Sequence, residues 1–553
     1  MPLREYQKRA LDAIRSDYED GYSSLVVSAA TGTGKTQIFS NLPEHLKDIL
    51  PGKTLVLAHR TELIDQAITK LRAANPNLKV SKEMAGDVAD QDSDIIVASV
   101  ATLGRKGSKR NEKIDWSSID KVCVDECHHS TAQSYINILE MAGVLTPDSK
   151  KLLIGFTATP QRTDGKALST LYKKISYVYG LRTAIDEGWL VDIRGYRIDT
   201  KTSIENVGTA GGDFKPVELA ETINNPERNA NIVEAWNKVG ENRQTIVFCG
   251  SVAHAAALSE EFKLAGVKAE YVHGEDPLRA EKLAAFEATD TTIMCNVQIL
   301  SEGVDIPNIS CVVWAVPTKS PVRFNQGCGR GTRLFEGKKD LIVLDVCDMS
   351  GDHTLCTVPT LMGLPDKLDL CGQSLFKSVK EIEKAQEENP NIDFMKLQKV
   401  TDLKSFVENI NLFEIRFPAE VEAASDFKWC KSATGGYRMS IPKGRNGEAA
   451  GFVHIQQNML DGWEIKGQIR GIDVIGQRPT MEEAFAAADN AIRTRAEGSV
   501  HLVDRKSSWN TKEATSAQLG LLKKLYGGKP WPATLTRGQA AHFIDQKISK
   551  RAK

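Results

Sequence analysis

The sequence predicts an α/β protein of two tandem parallel-sheet domains, followed by a small C-terminal α+β domain and a helical tail. Three observations carry this. Short, near-continuous apolar runs alternate with helical patterns up to about residue 350, as strands buried on both faces do. These runs fall into two series, which implies two consecutive βαβ arrays. Beyond residue 350 the runs give way to a charged stretch and then to period-two alternation with Gly-rich turns. A chain of 553 residues is also too long for one core.

The first array, residues 1–195, contains the runs "SLVVSAA", "KTLVLAH", "DIIVASV", "KVCVDE" and "KLLIGFTAT". The second, residues 196–350, contains "QTIVFCG", "AEYVHG", "TTIMCN", "SCVVWAV" and "LIVLDV". Helical patterns such as Thr61 to Arg72 and Val252 to Leu264 separate them. Residues 351–425 read as a connector with a helical extension. Residues 426–500 read as three antiparallel strands and a helix opened by a capping box, Thr480 with Glu483. Residues 501–553 read as a helical tail with a second box, Thr536 with Gln539.

Apolar (41%) and charged (26%) contents are those of an ordinary globular protein. No run approaches the ~20 apolar residues of a membrane helix, and "MPLREYQKRALDAI" has no apolar signal-peptide core. Ten cysteines without a framework suit a reducing cytosol. The net charge of −1 hides an asymmetry. From Arg505 to Lys553 eleven Lys/Arg face two acids, a net of +9, whereas between Leu375 and Ser425 ten acids face seven bases. A basic tail behind an acidic connector suggests an anionic polymer partner; a solvated tail is the alternative.

"AATGTGKT" follows a strand and precedes a helix. Thr31, Gly32, Thr33 and Gly34 can aim backbone N–H groups at phosphates, with Lys35 on the β/γ-phosphates of ATP and the Thr36 hydroxyl on Mg²⁺. Ala29 stands where the usual pattern begins with Gly. "VCVDECHH" supplies the complement: Asp125 at a strand end can hold Mg²⁺, and Glu126 can orient the attacking water. Metal binding by Cys123, Cys127, His128 and His129 fails on spacing, since Cys123 lies inside a strand. Cys347, His353, Cys356 and Cys371 are irregularly spaced and read as buried thiols, so no structural zinc is expected.

In their order along the chain, these stretches resemble the motifs of superfamily 2 helicases of the DEAD/DEAH-box (DECH) kind, over residues 1 to about 350. "LREYQ" resembles the adenine-reading element, with Arg4 and Gln7 its candidates. "AATGTGKT", "AHRTELIDQ", "DECH" and "TATP" resemble motifs I, Ia, II and III; "IVFCGS", "LSEGVDIP" and "QGCGRGTR" resemble IV, V and VI. The resemblance implies two RecA-like domains with ATP between them. It places Gln326, Arg330 and Arg333 in motif VI, the two arginines reaching the γ-phosphate, with Gly303 and Asp305 lining the same cleft. Arg60, Ser99, Thr102, Ser251 and Ser301 would touch a nucleic-acid backbone. His128, Thr157 and Thr159 would couple the cleft to that grip. Val297 departs from the Thr usual in motif V, leaving Ser301 as the substitute.

"TATP" with "DECH" is similar to the DNA-directed XPB, RadD and UvsW-like members, of phage or prophage type. Duplex or branched DNA is therefore the expected partner, in replication, recombination or repair. RNA remodelling, an ATP-gated sensor, and the motor subunit of a defence or restriction system stay open. Residues from about 426 to 496 resemble DNA-binding modules of the AP2/integrase-arm kind. There Trp429, Tyr437 and Trp463 can stack on bases or pack a core.

Overall fold

The computed structural model describes residues 3–553 except 60, 106, 147, 159–167, 298, 300–305, 352, 389–393, 404–418, 428, 432–435, 442–450, 459–461, 505–512, 526–534, 538–539 and 541–553. The chain divides into two compact units: residues 1–361 with 374–376, and residues 362–373 with 377–553.

The first unit holds two parallel sheets. β1 (Ser24–Ala29), β2 (Lys53–Ala58), β3 (Val80–Glu83), β4 (Ile95–Ser99), β5 (Ile119–Val124), β6 (Leu152–Thr157) and β7 (Lys174–Tyr179) form the first, in the order β3-β4-β2-β5-β6-β1-β7. β8 (Asp192–Ser203) opens the second lobe, a two-strand hairpin β9 (Thr209–Ala210) and β10 (Asp213–Phe214) follows it, and β11 (Thr245–Phe248), β12 (Ala269–Val272), β13 (Ile293–Asn296), β14 (Cys311–Trp314) and β15 (Asp340–Met349) complete the sheet in the order β12-β13-β11-β14-β15-β8. Of the central strands, β1, β6, β11 and β14 are buried along their whole length and β5 at every position but Asp120, which is why they read as apolar runs. Each lobe has its own core, one around Leu25, Val27, Phe39, Val56 and Phe156, the other around Trp236, Val247, Phe262, Val313 and Leu344.

Two buried titratable groups in the second lobe oppose each other. His254 is fully buried, its Nδ1 accepting from the Gly250 N–H at 3.3 Å, and burial with nearby Arg228 pushes its pKa down to about 3. Asp345 is 5% exposed and accepts from the Val358 N–H at 2.9 Å; burial pushes its pKa up to about 7. Between about pH 4 and 6.5 the unfolded chain carries a proton on His254 that the fold lacks, while the fold carries one on Asp345 that the unfolded chain lacks. The two effects on stability cancel there. Asp345→Asn is therefore expected to make stability rise with pH across this window, relative to wild type, by up to about 1.4 kcal/mol per pH unit, and His254→Asn to make it fall. Denaturant unfolding at pH 4.5 and 6.5 checks this; parallel profiles for both variants would refute it.

The second unit is built on an antiparallel sheet, β16 (Cys430–Lys431), β17 (Tyr437–Ile441), β18 (Gly451–Gln457), β19 (Trp463–Ile469) and β20 (Ile472–Arg478), in sequence order. This makes five strands where the pattern predicts three; β16 is only two residues long, and β20 lies past the alternating stretch. The helix Met481–Arg495 begins at Thr480, whose hydroxyl accepts from the Glu483 N–H at 3.2 Å. Trp429 is wholly buried, its indole N–H donating to Asp489 at 2.9 Å, and Tyr437 is 9% exposed in the same core. Packing decides the aromatic question for these two; Trp463 packs partly buried against them. Val421, and Ser425 bonded to Asp489 at 2.6 Å, belong to this core, so it draws on residues upstream of 426. No helix among the described residues is long and apolar enough to cross a membrane.

Candidate functional site

The phosphate loop joins β1 to the helix Lys35–His45. Gly32 (φ +87°) and Gly34 (φ +82°) adopt the left-handed conformation that glycine enters without steric cost, which turns the loop back over the helix N-terminus. Thr33 is buried, donating its hydroxyl to the Ala30 carbonyl at 2.7 Å, so its side chain shapes the loop. Lys35 Nζ donates to the Ala29 carbonyl at 3.3 Å and lies 3.9 Å from Glu126. Thr36 follows in the first turn of the helix, half-buried.

β5 delivers the acidic pair. The Asp125 N–H donates to Leu57 O at 3.1 Å, continuing the β2–β5 ladder, and Asp125 Oδ1 accepts from the Glu126 N–H at 3.0 Å. Glu126 sits at φ +48°, strained by roughly 1–3 kcal/mol for a residue with a side chain. Burial, then the neighbouring Glu126, pushes the Asp125 pKa up to about 6 against the pull of Lys35. Oxygen donors held in this state suit a divalent cation, which would relieve both effects. The left-handed glycines and the loop at a helix start likewise suit a nucleotide phosphate.

A chain of imidazoles continues from Glu126. His128 Nδ1 lies 3.4 Å from Glu126 Oε2, the His128 and His129 rings are 4.1 Å apart, and His59 follows at 5.1 Å from His129. The pairing of His59 with His129 escapes sequence reading because it joins residues that follow two different strands. Thr157 is fully buried at the end of β6, in register with Ser28 of β1.

The second lobe contributes the helix Pro321–Gly331, and its C-terminal end packs on the phosphate loop. A Cβ built on Gly32 would lie 3.2 Å from Arg333 Cγ and 3.4 Å from Gly329 O. The Val191 N–H donates to Thr332 O at 2.8 Å, and Leu190 bridges to Arg333, fixing this end to the segment between the lobes. Arg330 is half-buried one residue past Gly329, and burial depresses the Arg333 pKa without neutralising so basic a group. Gln326 is 3% exposed, with its amide nitrogen buried and without a partner among the described residues. Lys35, Asp125, Glu126, Arg333 and Gly32 are thus brought together from residues 300 positions apart.

Gln7 and Arg4 sit beside the same loop. Gln7 is buried, its Nε2 donating to Thr33 O at 3.2 Å and its Oε1 accepting from the Arg4 N–H at 3.0 Å; the Tyr6 hydroxyl donates to the same Thr33 oxygen at 2.5 Å. Both ends of the Gln7 amide are therefore occupied within the protein. Arg4 lies over the Trp189 ring at 4.5 Å, and Tyr6 stacks on Tyr179 at 4.1 Å. Tyr179 and Trp189 carry no local signal; only the fold brings them to the loop.

Among the nucleic-acid candidates, Ser99 is buried at the end of β4, and Thr102 Oγ1 accepts from the Ala85 N–H at 3.3 Å. The Ser251 hydroxyl caps the helix Val252–Leu264, accepting from the His254 N–H at 3.1 Å. Val297 packs against the second core. Arg60, Thr159, Ser301, Gly303 and Asp305 lie outside the described residues. Cys347 is buried and Cys356 half-buried, but Cys371 is exposed rather than the buried thiol expected. In the tail Lys523 and Lys524 are exposed, while Lys529 and Trp531 lie outside the described residues.

Comparison with known proteins gives the chain's family. Residues 1–162 match the family described as "Type III restriction enzyme, res subunit", 227–334 match "Helicase conserved C-terminal domain", and 399–553 match "Mitochondrial helicase Irc3, C-terminal domain". The "Putative mitochondrial ATP-dependent helicase irc3" of Schizosaccharomyces pombe is 30% identical over 573 residues, covering 99% of this chain and 90% of its own. The "Putative ATP-dependent helicase IRC3" of Saccharomyces cerevisiae is 36% identical over 374 residues, 66% of this chain and 54% of its own, so this match spans about half of that relative. The "Type I restriction enzyme EcoAI endonuclease subunit" of Escherichia coli is 26% identical over 62% of this chain and 46% of its own. With both motor lobes and the C-terminal segment matched, the chain belongs to the Irc3 family of ATP-dependent helicases, within superfamily 2.

Proposed function

We propose that this protein is a nucleic-acid-stimulated ATPase that translocates on, or unwinds, duplex or branched DNA in replication, recombination or repair. The observation that carries the reading is the seating of Arg333 and the helix Pro321–Gly331 on the phosphate loop. Lys35, the loop N–H groups and Thr36 would hold the phosphates, and Thr36 with Asp125 the Mg²⁺. When bound, Mg²⁺-ATP supplies the anhydride bond whose hydrolysis drives the cycle. Glu126 orients the attacking water, held by its strained backbone and by His128. Arg330 and Arg333 stabilise charge on the γ-phosphoryl group from the second lobe. Because they do so only when the lobes are together, loss of that phosphate weakens the shared contact, and a polymer lying across both lobes is gripped alternately.

DNA rather than RNA is supported by the "DECH" and "TATP" stretches and by the restriction-enzyme relative. Nine described cysteines, all free, suit a reducing compartment such as a cytosol. The deciding measurement is ATPase stimulation by single-stranded, duplex, forked and four-way DNA beside matched RNA. Strongest stimulation by branched DNA supports the reading; preference for RNA replaces it with RNA remodelling. Removal of residues 377–553, most of the second unit, is expected to weaken DNA binding and flatten its dependence on salt, each lost phosphate contact lowering the slope by about 0.9. Unchanged affinity and slope would show that this unit does not touch DNA.

A further inference from the structure

The lobes touch where neither has a side chain to spare. A Cβ added to Gly329 would sit 2.4 Å from Thr31 Cβ and 2.7 Å from Thr31 Cγ2. Carbon atoms in contact keep about 3.5–4.0 Å, and both Cβ positions are dictated by backbone, so no change of rotamer relieves the overlap. Gly329 lies in the last turn of the helix Pro321–Gly331, and Arg333 follows the helix end by two residues, bridged to Leu190. This helix end and Arg333 meet Gly32 as well, whose own Cβ would meet Arg333 Cγ at 3.2 Å and Gly329 O at 3.4 Å. The contact is glycine against loop on one side and helix against glycine on the other.

We propose that Gly329 is a positioning residue that sets how far the lobes close. Its missing side chain lets the end of the helix, with Arg333 just beyond it, come down on Thr31 and Gly32. Any side chain at 329 holds the lobes apart and keeps Arg330 and Arg333 short of the γ-phosphate. The inference rests on the proposed ATPase reading and goes beyond it, because Gly329 offers no group to nucleotide or nucleic acid. It acts by thickness alone. ATP binding draws chiefly on the first lobe, whereas hydrolysis needs the arginines, so an obstacle at 329 removes an interaction made in the transition state.

The test is a double-substitution cycle in the full chain, combining Gly329→Ala with Thr31→Gly, which removes the opposing Cβ. Turnover under saturating ATP and DNA is read beside the affinity for a fluorescent ATP analogue. Gly329→Ala alone is expected to lower turnover about 10²-fold, the order that a misplacement of about 1 Å costs, with analogue affinity little changed. In the Thr31→Gly background the same substitution should cost no more than about 2-fold, the margin within which independent sites add. Equal losses in both backgrounds would overturn the proposal. So would undiminished turnover, or a loss of affinity as large as the loss of turnover. Should Gly329→Ala not fold, Thr31→Leu thickens the contact from the loop side and must show the same split between turnover and affinity. A wild-type protein that no nucleic acid stimulates would instead overturn the functional reading, and the cycle is then read on basal turnover.

Discussion

Arg333→Ala is expected to lower nucleic-acid-stimulated ATP turnover by about 10³-fold or more, the range in which a charge-stabilising arginine contributes to phosphoryl transfer. Arg333 comes from the second lobe, yet its Cγ packs against Gly32 of the phosphate loop. Burial there strips water from the guanidinium and strengthens its interaction with anionic oxygens. Nucleotide affinity should change far less, because the loop, Lys35 and the helix start remain. Lysine at 333 should not restore the rate, since a compact, strongly hydrated ammonium does not reproduce the planar fork. Phosphate release and analogue binding, measured on one preparation, separate the effects. Turnover within a few-fold of wild type would remove Arg333 from the chemistry.

Lys35→Ala should be as damaging by a different route. The ammonium lies 3.9 Å from Glu126 and opposes the forces that raise the Asp125 pKa. Its loss removes the β/γ-phosphate partner and leaves two adjacent carboxyls with less compensation. Turnover should fall by at least about 10²–10³-fold, as when one preorganised donor is removed from an active site. A second reading does not depend on activity. ATP at 100 times its dissociation constant stabilises a binding protein by about 2.7 kcal/mol, and this protection should vanish in Lys35→Ala. Retained protection with retained turnover would refute the assignment of the phosphate loop.

The strands missed by the sequence reading are instructive. In the first sheet β3 and β7 lie at the two edges, and β8 is an edge of the second. Edge strands are covered less completely: β7 is half-buried along most of its length, and β8 alternates before turning outward. Without burial on both faces they lack the continuous apolar run that marks β1 or β14. β16 and β20 edge the antiparallel sheet for the same reason. Hydrophobic patterning records how much of a strand is covered, so it marks sheet centres more strongly than margins, although the edge strand β12 still shows its run.

Local chemistry fixed the phosphate loop, the acidic pair and the motif VI arginines, because each needs particular residues at neighbouring positions on one turn or strand end. The linear order of those stretches was enough to state the fold class and the class of activity. Three-dimensional packing alone decided that Gln7 holds the Thr33 carbonyl, that Trp429 and Tyr437 fill a core, that His59 meets His129, and that Gly329 lies against Thr31. Each of these joins positions far apart in the chain. A residue's own type says what it can offer, but which partner receives it depends on how closed sheets and helices bring distant backbone within a few ångströms.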